Sequence, residues 1–268
     1  MQGAESVGKR GIEVVADKAA IAERACDLVV ERIEAVLEHQ PFCSIVLSGG
    51  STPKPLYQAL AKRSLPWKRL LIFWGDERYV PSNHPDSNEK MAREAWLDQV
   101  PIPAAQIFAM PTGSGDVGAD AEDYAETVRN AFEDSESLFA SPKGAGWTWD
   151  VVLLGMGDDG HTASLFPGTA ILDETEKLVS VGQKEDQPRI SLTLPALNRS
   201  DWVVFLVAGE NKQTPLEQVL PVSLQGKFGT ERSPLSQQYP SCAVQPSGDL
   251  LWLLDRSAST TLTSDLLA

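Results

Sequence analysis

The sequence contains one histidine in a setting suited to acid–base chemistry. His161 ends the run Gly155-Met156-Gly157-Asp158-Asp159-Gly160-His161, which directly follows the apolar residues 151–154. The glycines of this run let the backbone approach a ligand closely, and an imidazole changes its charge near neutral pH. His39 and His84 lie at the end of a predicted helix and in a polar loop, where a structural role is more common. We therefore expect His161 to be the functional histidine.

A glycine turn earlier in the chain is suited to binding an anion. The run Ser48-Gly49-Gly50-Ser51-Thr52-Pro53 follows an apolar segment and precedes a helical pattern. Free backbone N–H groups and the positive end of the helix dipole meet at such a turn. A tight structural turn with Thr52 as the helix N-cap is the other interpretation, and both stay open. The run lacks the Lys-Ser/Thr ending of a P-loop and does not match GxGxxG.

Charged residues stand at other predicted strand ends. The run Asp76-Glu77-Arg78 directly follows the apolar residues 70–74, and charges there must be solvated, paired or used in chemistry. Arg189 and Lys212 add two cations near strand ends, although a lone cation more often serves solubility. The chain has 23 Lys and Arg against 37 Asp and Glu, a net charge of −14. Cations gathered at one edge of a sheet would form a local positive site in this acidic protein.

The elements that would position these residues alternate between strand and helix. Ligands bind beyond the carboxyl ends of strands in an open parallel sheet, so the residues described above would meet at one edge. We predict a three-layer α/β sandwich with a mostly parallel sheet, in one domain over residues 1–268. Buried strands are predicted at 44–48, 70–74, 150–154, 201–207 and 250–254, an apolar segment at 12–15, and an edge or antiparallel element at 189–194. Helices are predicted after the cap Asp17, after Thr52-Pro53, and over 87–97, 117–139 and 211–219; the least ordered stretches are 113–118, 142–146 and 225–240.

Composition and motifs argue against several classes of protein. The acidic balance without a basic stripe argues against a nucleic-acid partner, and no apolar stretch approaches the ~18 residues of a membrane span. Residues 1–8 are polar and lack a signal-peptide pattern, so a cytoplasmic location is expected. Cys26, Cys43 and Cys242 are odd in number and widely spaced, which indicates reduced thiols. GxSxG, HExxH, CxxC and EF-hand spacings are absent, so no serine-hydrolase elbow and no metal site is predicted.

Four ordered motifs together resemble the 6-phosphogluconolactonase family, which shares its fold with glucosamine-6-phosphate isomerases. They are residues 48–53 (SGGSTP), 74–81 (WGDERYVP), 84–88 (HPDSN) and 155–167 (GMGDDGHTASLFP), and residues 189–198 and 255–256 extend the resemblance. The resemblance implies a Rossmann-like sheet, a sugar-phosphate lactone as substrate in the oxidative pentose phosphate pathway, and no organic cofactor. It also implies a small-molecule partner alone, in a monomer or small homo-oligomer.

The resemblance also implies roles for individual residues. The phosphate is expected on the turn of Gly49, Gly50, Ser51 and Thr52 and on Arg189 and Lys212. The lactone ring is expected to lie toward Asp76, Arg78 and His161. His161 would act as the general base for water, Asp159 would orient its ring, and Arg78 or loop N–H groups would face the oxyanion.

Two other functions stay open. An isomerase or deaminase acting on an amino-sugar phosphate shares the Asp-Gly-His loop and the Asp76-Glu77 pair. Such sites usually continue with an aromatic residue after Asp-Glu and with Ile-Ala-Phe-Asn-Glu after the histidine, whereas Arg78 and residues 162–166 (TASLF) stand here. A non-catalytic sugar-phosphate sensor would keep the turn and need no base. His161, and a chain without a DNA-binding motif, favour an enzyme.

Overall fold

Six parallel strands form the central sheet of the computed structural model, which describes residues 8–133, 147–225 and 233–267. The strand order is β1-β9-β8-β5-β2-β3, and every neighbouring pair is parallel. The strands are β1 Arg10–Val15, β2 Cys43–Leu47, β3 Leu70–Trp74, β4 Asp76–Arg78, β5 Val151–Leu154, β6 Val179–Lys184, β7 Gln187–Leu192, β8 Trp202–Val207 and β9 Asp249–Asp255. The α-helices are α1 Lys18–Leu37, α2 Pro53–Leu60, α3 Asn88–Ala95, α4 Val117–Glu133, α5 Leu194–Asn198, α6 Gln213–Ser223, α7 Pro234–Gln238, α8 Arg256–Ser259 and α9 Ser264–Leu267.

Helices flank this sheet, so the predicted α/β architecture with a mostly parallel sheet is confirmed. Strands β2, β3, β5 and β8 are buried along their whole length, as a parallel sheet covered on both faces requires. Helix α1 buries Ala25, Val29 and Ile33 along one face because these residues recur every fourth position. Its predicted cap is also confirmed, since Asp17 accepts a hydrogen bond from the Ala20 N–H at 2.9 Å.

A second, three-stranded sheet stands beside the carboxyl ends of the first. Its order is β4-β7-β6, and both pairs are antiparallel. The two sheets are joined at Gly75, whose N–H donates to Leu47 and whose carbonyl accepts from Leu192. The alternating residues 189–194 were expected in an edge or antiparallel element, and β7 is antiparallel and central. Strand β7 pairs with β4 on one side and with β6 on the other, and β6 is the more exposed of the two.

Some local predictions need correction. Thr52 does not cap α2 through its side chain, because its backbone is already helical (φ −79°, ψ −44°) and a capping residue needs an extended backbone. The helix predicted over 211–219 begins with a 3₁₀ turn at Glu210–Lys212 and continues as α6 to Ser223. In the stretch 225–240, residues 234–238 form α7, since Ser233 caps it and Pro234 fits its first turn.

Other predictions agree with the structure or lie outside the described residues. Ser87 caps α3, which covers the central part of the predicted helix 87–97. Helix α4 is described from Val117 to Glu133, and the predicted continuation over 134–139 lies outside the described residues, as does the stretch 142–146. The three cysteines are free and buried, as expected for reduced thiols. Among the described residues no helix is long and apolar enough to cross a membrane, and no group of three or more metal-ligating side chains occurs.

Candidate active site

A pocket of about 470 Å³ opens where the carboxyl ends of the parallel strands meet the small antiparallel sheet. Nine of the ten residues predicted as functional line it, and the tenth, Asp159, contacts the lining residue His161. The lining also includes residues that were not predicted to have a role. The predicted lining residues are Gly49, Gly50, Ser51, Thr52, Asp76, Arg78, His161, Arg189 and Lys212; the others include Lys18, Ser48, Asn88, Gly157, Asn211 and Asp255.

The pocket has two ends. The anion end consists of the turn 49–52 with Lys18, Arg189 and Lys212. The histidine end consists of His161, Asp159, Asp76 and Arg78 with the residues that hold them.

The backbone of the turn at the anion end requires glycine at two positions. Gly50 has φ +96°, a conformation that side chains with a Cβ rarely adopt. Gly49 lies so close to the Asn88 side chain that a Cβ there would overlap the amide group. The Tyr57 hydroxyl fixes the start of the turn, since it accepts from the Ser48 N–H at 3.0 Å and donates to the Ser48 carbonyl at 2.7 Å. The turn is therefore a rigid main-chain surface at the N-terminus of α2.

Two arginines face each other across the small sheet. Arg78 on β4 is paired in register with Arg189 on β7, and both line the pocket. Like charges in this arrangement repel each other. Arg78 donates to the Asp86 carbonyl at 2.6 Å and Arg189 to the Gln187 side chain at 3.0 Å, while the Nε of each is buried without a hydrogen-bond partner among the described residues. An anion in the pocket would relieve the repulsion between the two guanidinium groups.

Burial also affects the cations of the anion end. It lowers the pKa of Arg189, an effect that the charge of Asp76 opposes and that of Arg78 reinforces. Burial likewise lowers the pKa of Lys212, while the charges of Asp158 and Asp159 act in the opposite direction. Both shifts indicate that the two positive charges are less hydrated than charges on the protein surface. They therefore interact more strongly with an anion than surface charges do.

His161 is held in a fixed orientation by its own loop. Its Nδ1 lies 2.5 Å from Asp159 Oδ1, and its backbone N–H donates to the same oxygen at 3.0 Å. Burial raises the pKa of Asp159, but the hydrogen bonds from His161 outweigh burial and bring it down to about 2. Asp159 is therefore ionised at neutral pH and can only accept, so in the neutral form of the imidazole Nδ1 carries the proton and Nε2 has the free lone pair. Gly157 must be glycine because a Cβ there would overlap the His161 ring.

Phe166 connects the two ends of the pocket. Its ring centroid lies 4.4 Å from that of His161 and 5.6 Å from the Arg189 guanidinium carbon. The Phe166 side chain is 6% exposed, so it is a fixed packing surface for both residues. A cation over an aromatic face is attracted by the ring, which contributes to holding Arg189 in place.

Asp76 is a buried carboxylate held by short polar side chains. Ser164 donates to its Oδ2 at 2.7 Å, and the Asn88 side-chain amide donates to the Asp76 carbonyl at 2.8 Å. Ser164 is itself fully buried, and its position is fixed because its N–H donates to the Ser191 hydroxyl at 3.2 Å. Asp76 therefore presents a carboxylate oxygen at a defined place in the pocket lining, which also includes His161.

Glu77 has a structural role. Its two carboxylate oxygens accept the N–H groups of Arg78, Asn88 and Glu89 and the Ser87 hydroxyl, at 2.7–3.1 Å. Burial raises its pKa, and these hydrogen bonds offset part of that rise. Glu77 thus satisfies the N-terminus of α3 and fixes Asn88, while Asp76, on the other face of the strand, lines the pocket.

Sequence reasoning assigned no role to several polar residues of the lining, among them Asn88 and Lys18. Asn88 belongs to a motif that was recognised, yet no role was predicted for it. Lys18 was treated only as part of an amphipathic helix, although its ammonium group donates to the Ser51 hydroxyl oxygen at 2.9 Å. The available signal for Lys18 was its position directly after the cap Asp17, because α1 follows a strand whose carboxyl end lies at the ligand edge of the sheet.

A parallel α/β sheet with a glycine turn at a helix N-terminus and a histidine–carboxylate pair in one pocket is typical of an enzyme for a small anionic substrate. Residues 16–252 match the family described as "Glucosamine-6-phosphate isomerases/6-phosphogluconolactonase", and the chain belongs to this family.

Individual relatives and solved structures support this membership. The chain is 46% identical over 251 residues to "6-phosphogluconolactonase" of Synechocystis sp., covering 94% of this chain and 98% of that protein. The structure resembles "6-phosphogluconolactonase from Trypanosoma cruzi" with a TM-score of 0.76 and 31% identity, covering 96% of this chain and 98% of that one. It also resembles a "monomeric glucosamine-6-phosphate deaminase" with a TM-score of 0.74 over 93% and 99% of the two chains, and at 16% identity that likeness concerns the fold alone.

Proposed function

We propose that this protein hydrolyses 6-phospho-D-glucono-1,5-lactone to 6-phosphogluconate, the lactonase step of the oxidative pentose phosphate pathway. The observation that carries the proposal is the meeting, in one pocket, of a cation-lined turn at a helix N-terminus and the His161–Asp159 pair. The first group suits a phosphate dianion and the second suits the activation of water. The names of the relatives that share nearly the whole length of the chain support the same substrate.

His161 is the proposed general base. Because Nδ1 is held by Asp159, Nε2 takes a proton from water as the water oxygen bonds to the lactone carbonyl carbon. The carbonyl π electrons move to the oxygen and form a tetrahedral oxyanion. Asp159 stabilises the imidazolium that results and keeps the ring in place.

Ring opening follows from the same histidine. The oxyanion returns its electrons to the carbon, the bond between that carbon and the ring oxygen breaks, and Nε2–H gives its proton to the ring oxygen. The products are a hydroxyl group and a carboxylic acid, which ionises at neutral pH. This sequence conserves protons at His161 and requires no cofactor.

Arg78 is the proposed oxyanion partner, and Asp76 the proposed acceptor for a ring hydroxyl. The unpartnered Nε and the fixed guanidinium of Arg78 suit a planar, charged donor beside the carbonyl oxygen. The buried carboxylate of Asp76 suits hydroxyl recognition, because a site that loses such a hydrogen bond is left with an unpaired buried charge.

The turn 49–52, Arg189 and Lys212 are the proposed phosphate ligands. The turn supplies backbone N–H groups and the two side chains supply charge, so the phosphate is bound by groups other than those proposed to act on the reacting carbon. Binding of this kind is equal in the ground state and the transition state and therefore acts on KM.

We further propose that the protein acts in the cytoplasm as a monomer or small homo-oligomer, with a small-molecule partner only. The acidic net charge of −14 and the three buried free cysteines support this setting. A single domain over residues 1–268 is supported by the pairing of β1 with β9, which brings distant parts of the chain into one sheet.

The test is a direct assay with freshly prepared 6-phosphogluconolactone. We expect acid release well above the spontaneous rate, a much lower kcat/KM for unphosphorylated glucono-1,5-lactone, and no ammonia from glucosamine 6-phosphate. Ammonia release at a rate comparable to lactone hydrolysis would instead assign the protein to the isomerase and deaminase branch of the family.

A further inference from the structure

We infer that Lys18, acting together with Ser51, is a specificity-determining residue for the phosphorylated end of the substrate. This inference rests on the proposed function, because it extends the phosphate site by a cation from a separate helix. The arrangement that carries it is the contact between the Lys18 ammonium group and the Ser51 hydroxyl oxygen, 2.9 Å apart, on the lining of the pocket.

The Lys18 ammonium group has no ion-pair partner among the described residues. No carboxylate of the described residues lies within 4 Å of its ammonium group, whereas Lys90 and Lys177 form ion pairs with Glu94 and Glu122. In a chain with a net charge of −14, a lysine at a pocket that lacks a carboxylate partner is available to an external anion.

The place of Lys18 on its helix supports the same conclusion. It is the first residue of the 20-residue helix α1, and the first turn contains no acidic residue. A cation at the positive end of a helix dipole is electrostatically unfavourable. Helix α1 packs against α2, whose N-terminus carries the turn 49–52, so an anion bound there meets the Lys18 charge as well as the N-terminus of α2.

Ser51 supplies the link between Lys18 and the anion. Its oxygen accepts a hydrogen bond from Lys18, and its hydroxyl hydrogen donates to no acceptor in the described part of the chain. The hydroxyl can therefore point its hydrogen toward a phosphate oxygen. The adjacent ammonium group polarises the hydroxyl and strengthens that hydrogen bond.

The experiment compares Lys18→Met with a matched control, Lys54→Met. Lys54 is an exposed lysine in the first turn of α2 that does not line the pocket, so the control removes the same charge from the same region. We expect Lys18→Met to raise KM for 6-phosphogluconolactone about tenfold, with kcat changed far less, as loss of a charge-assisted contact predicts. Lys18→Arg should recover most of the affinity, and KM for unphosphorylated glucono-1,5-lactone should stay unchanged.

A binding measurement separates this inference from the proposed function. Inorganic phosphate is titrated into each variant by calorimetry, which requires no turnover, and we expect a weaker Kd for Lys18→Met than for Lys54→Met. Ser51→Ala should weaken phosphate binding less in the Lys18→Met background than in the wild type, because the two residues act on the same phosphate oxygen. Equal KM and equal phosphate Kd for Lys18→Met and Lys54→Met would overturn the inference, as would an equal rise of KM for both lactones. A wild type that binds phosphate but hydrolyses no lactone would refute the proposed function alone.

Discussion

Different kinds of contact hold the side chains in place at the two ends of the pocket. At the anion end, main-chain N–H groups and long cationic side chains surround the turn 49–52, and Ser51 and Lys18 remain partly exposed to solvent. At the histidine end, short side chains hold one another, and Asp76 and Ser164 are buried. In the proposed reaction several groups share the charge of the phosphate, whereas a single imidazole moves the proton. We therefore expect graded losses of affinity at the anion end and abrupt losses of rate at the histidine end.

The strongest test of this contrast is His161→Gln. We expect kcat to fall by ~10²-fold or more with little change in the affinity for inorganic phosphate, because the base is lost and the phosphate ligands remain. Steady-state kinetics and phosphate calorimetry measure the two quantities. His39→Gln is the matched control, since the side chain of His39 is 83% exposed and lies outside the pocket lining. A His161→Gln enzyme that retained most of its kcat would transfer the base role to Asp76.

Arg189→Ala and Lys212→Ala should produce the next largest effects, and on KM. We expect each to raise KM for 6-phosphogluconolactone by about 10- to 100-fold, since a hydrogen bond to a charged group is worth roughly 1.5–3 kcal/mol. The change in kcat should be much smaller. Unphosphorylated glucono-1,5-lactone is the internal control, because its KM should not respond. If kcat fell as far as KM rose, these cations would belong to the histidine end.

Arg78→Lys tests the boundary between the two ends. The substitution keeps the charge but loses the planar fork, so we expect about a tenfold fall in kcat if Arg78 faces the developing oxyanion. Arg93→Lys on α3 is the control, since Arg93 pairs with Glu89 on the helix surface. A change confined to KM would place Arg78 among the phosphate ligands, next to its cross-strand neighbour Arg189.

The smallest expected effect concerns stability and pH. The pKa of Asp159 lies near 2 in the folded protein and its ordinary value is 3.8, so the ionised carboxylate stabilises the fold above pH 3.8. That contribution is lost as the pH falls from 3.8 toward 2. The difference in free energy of unfolding between the wild type and Asp159→Asn should therefore be constant at neutral pH and shrink below pH 3.8. Urea denaturation from neutral pH down to pH 2 measures this difference in free energy of unfolding. Asp158→Asn is the control, because Asp158 is the adjacent exposed carboxylate. A difference that grew as the pH fell would contradict the lowered pKa of Asp159.

The fold was largely predictable because its central strands are apolar along their whole length. Residues 44–48 and 70–74 read as buried strands, and helical patterns between such strands indicate parallel crossovers. Strand β4 was not predictable, because Asp76, Glu77 and Arg78 have low strand propensity and are ordered by pairing with β7. The capping error at Thr52 has a similar cause, since the turn geometry, and not the residue type, decides whether the side chain can reach the helix.

The candidate site was predictable where a motif and a strand end coincide. The turn 49–52 and the loop of His161 follow apolar strands directly, which is why their meeting in one pocket could be expected. The resemblance to the family implied that Asp159 orients His161, and the two side chains are in contact in the structure. Lys18 was missed, since its contact with Ser51 joins positions 33 residues apart, and no local pattern reports such a contact.

The position of β1 in the sheet has a consequence for synthesis of the protein on the ribosome. Among the described strands β1 pairs only with β9, so residues 10–15 have no strand partner until residues 249–255 have been made. Lys18 follows β1 directly, and Asp255 at the end of β9 lines the same pocket. This part of the pocket lining therefore joins a residue made early in synthesis to one made late. Nascent chains that stop before β9 therefore lack a complete pocket, and the long sequence separation of this pair favours late closure of the sheet.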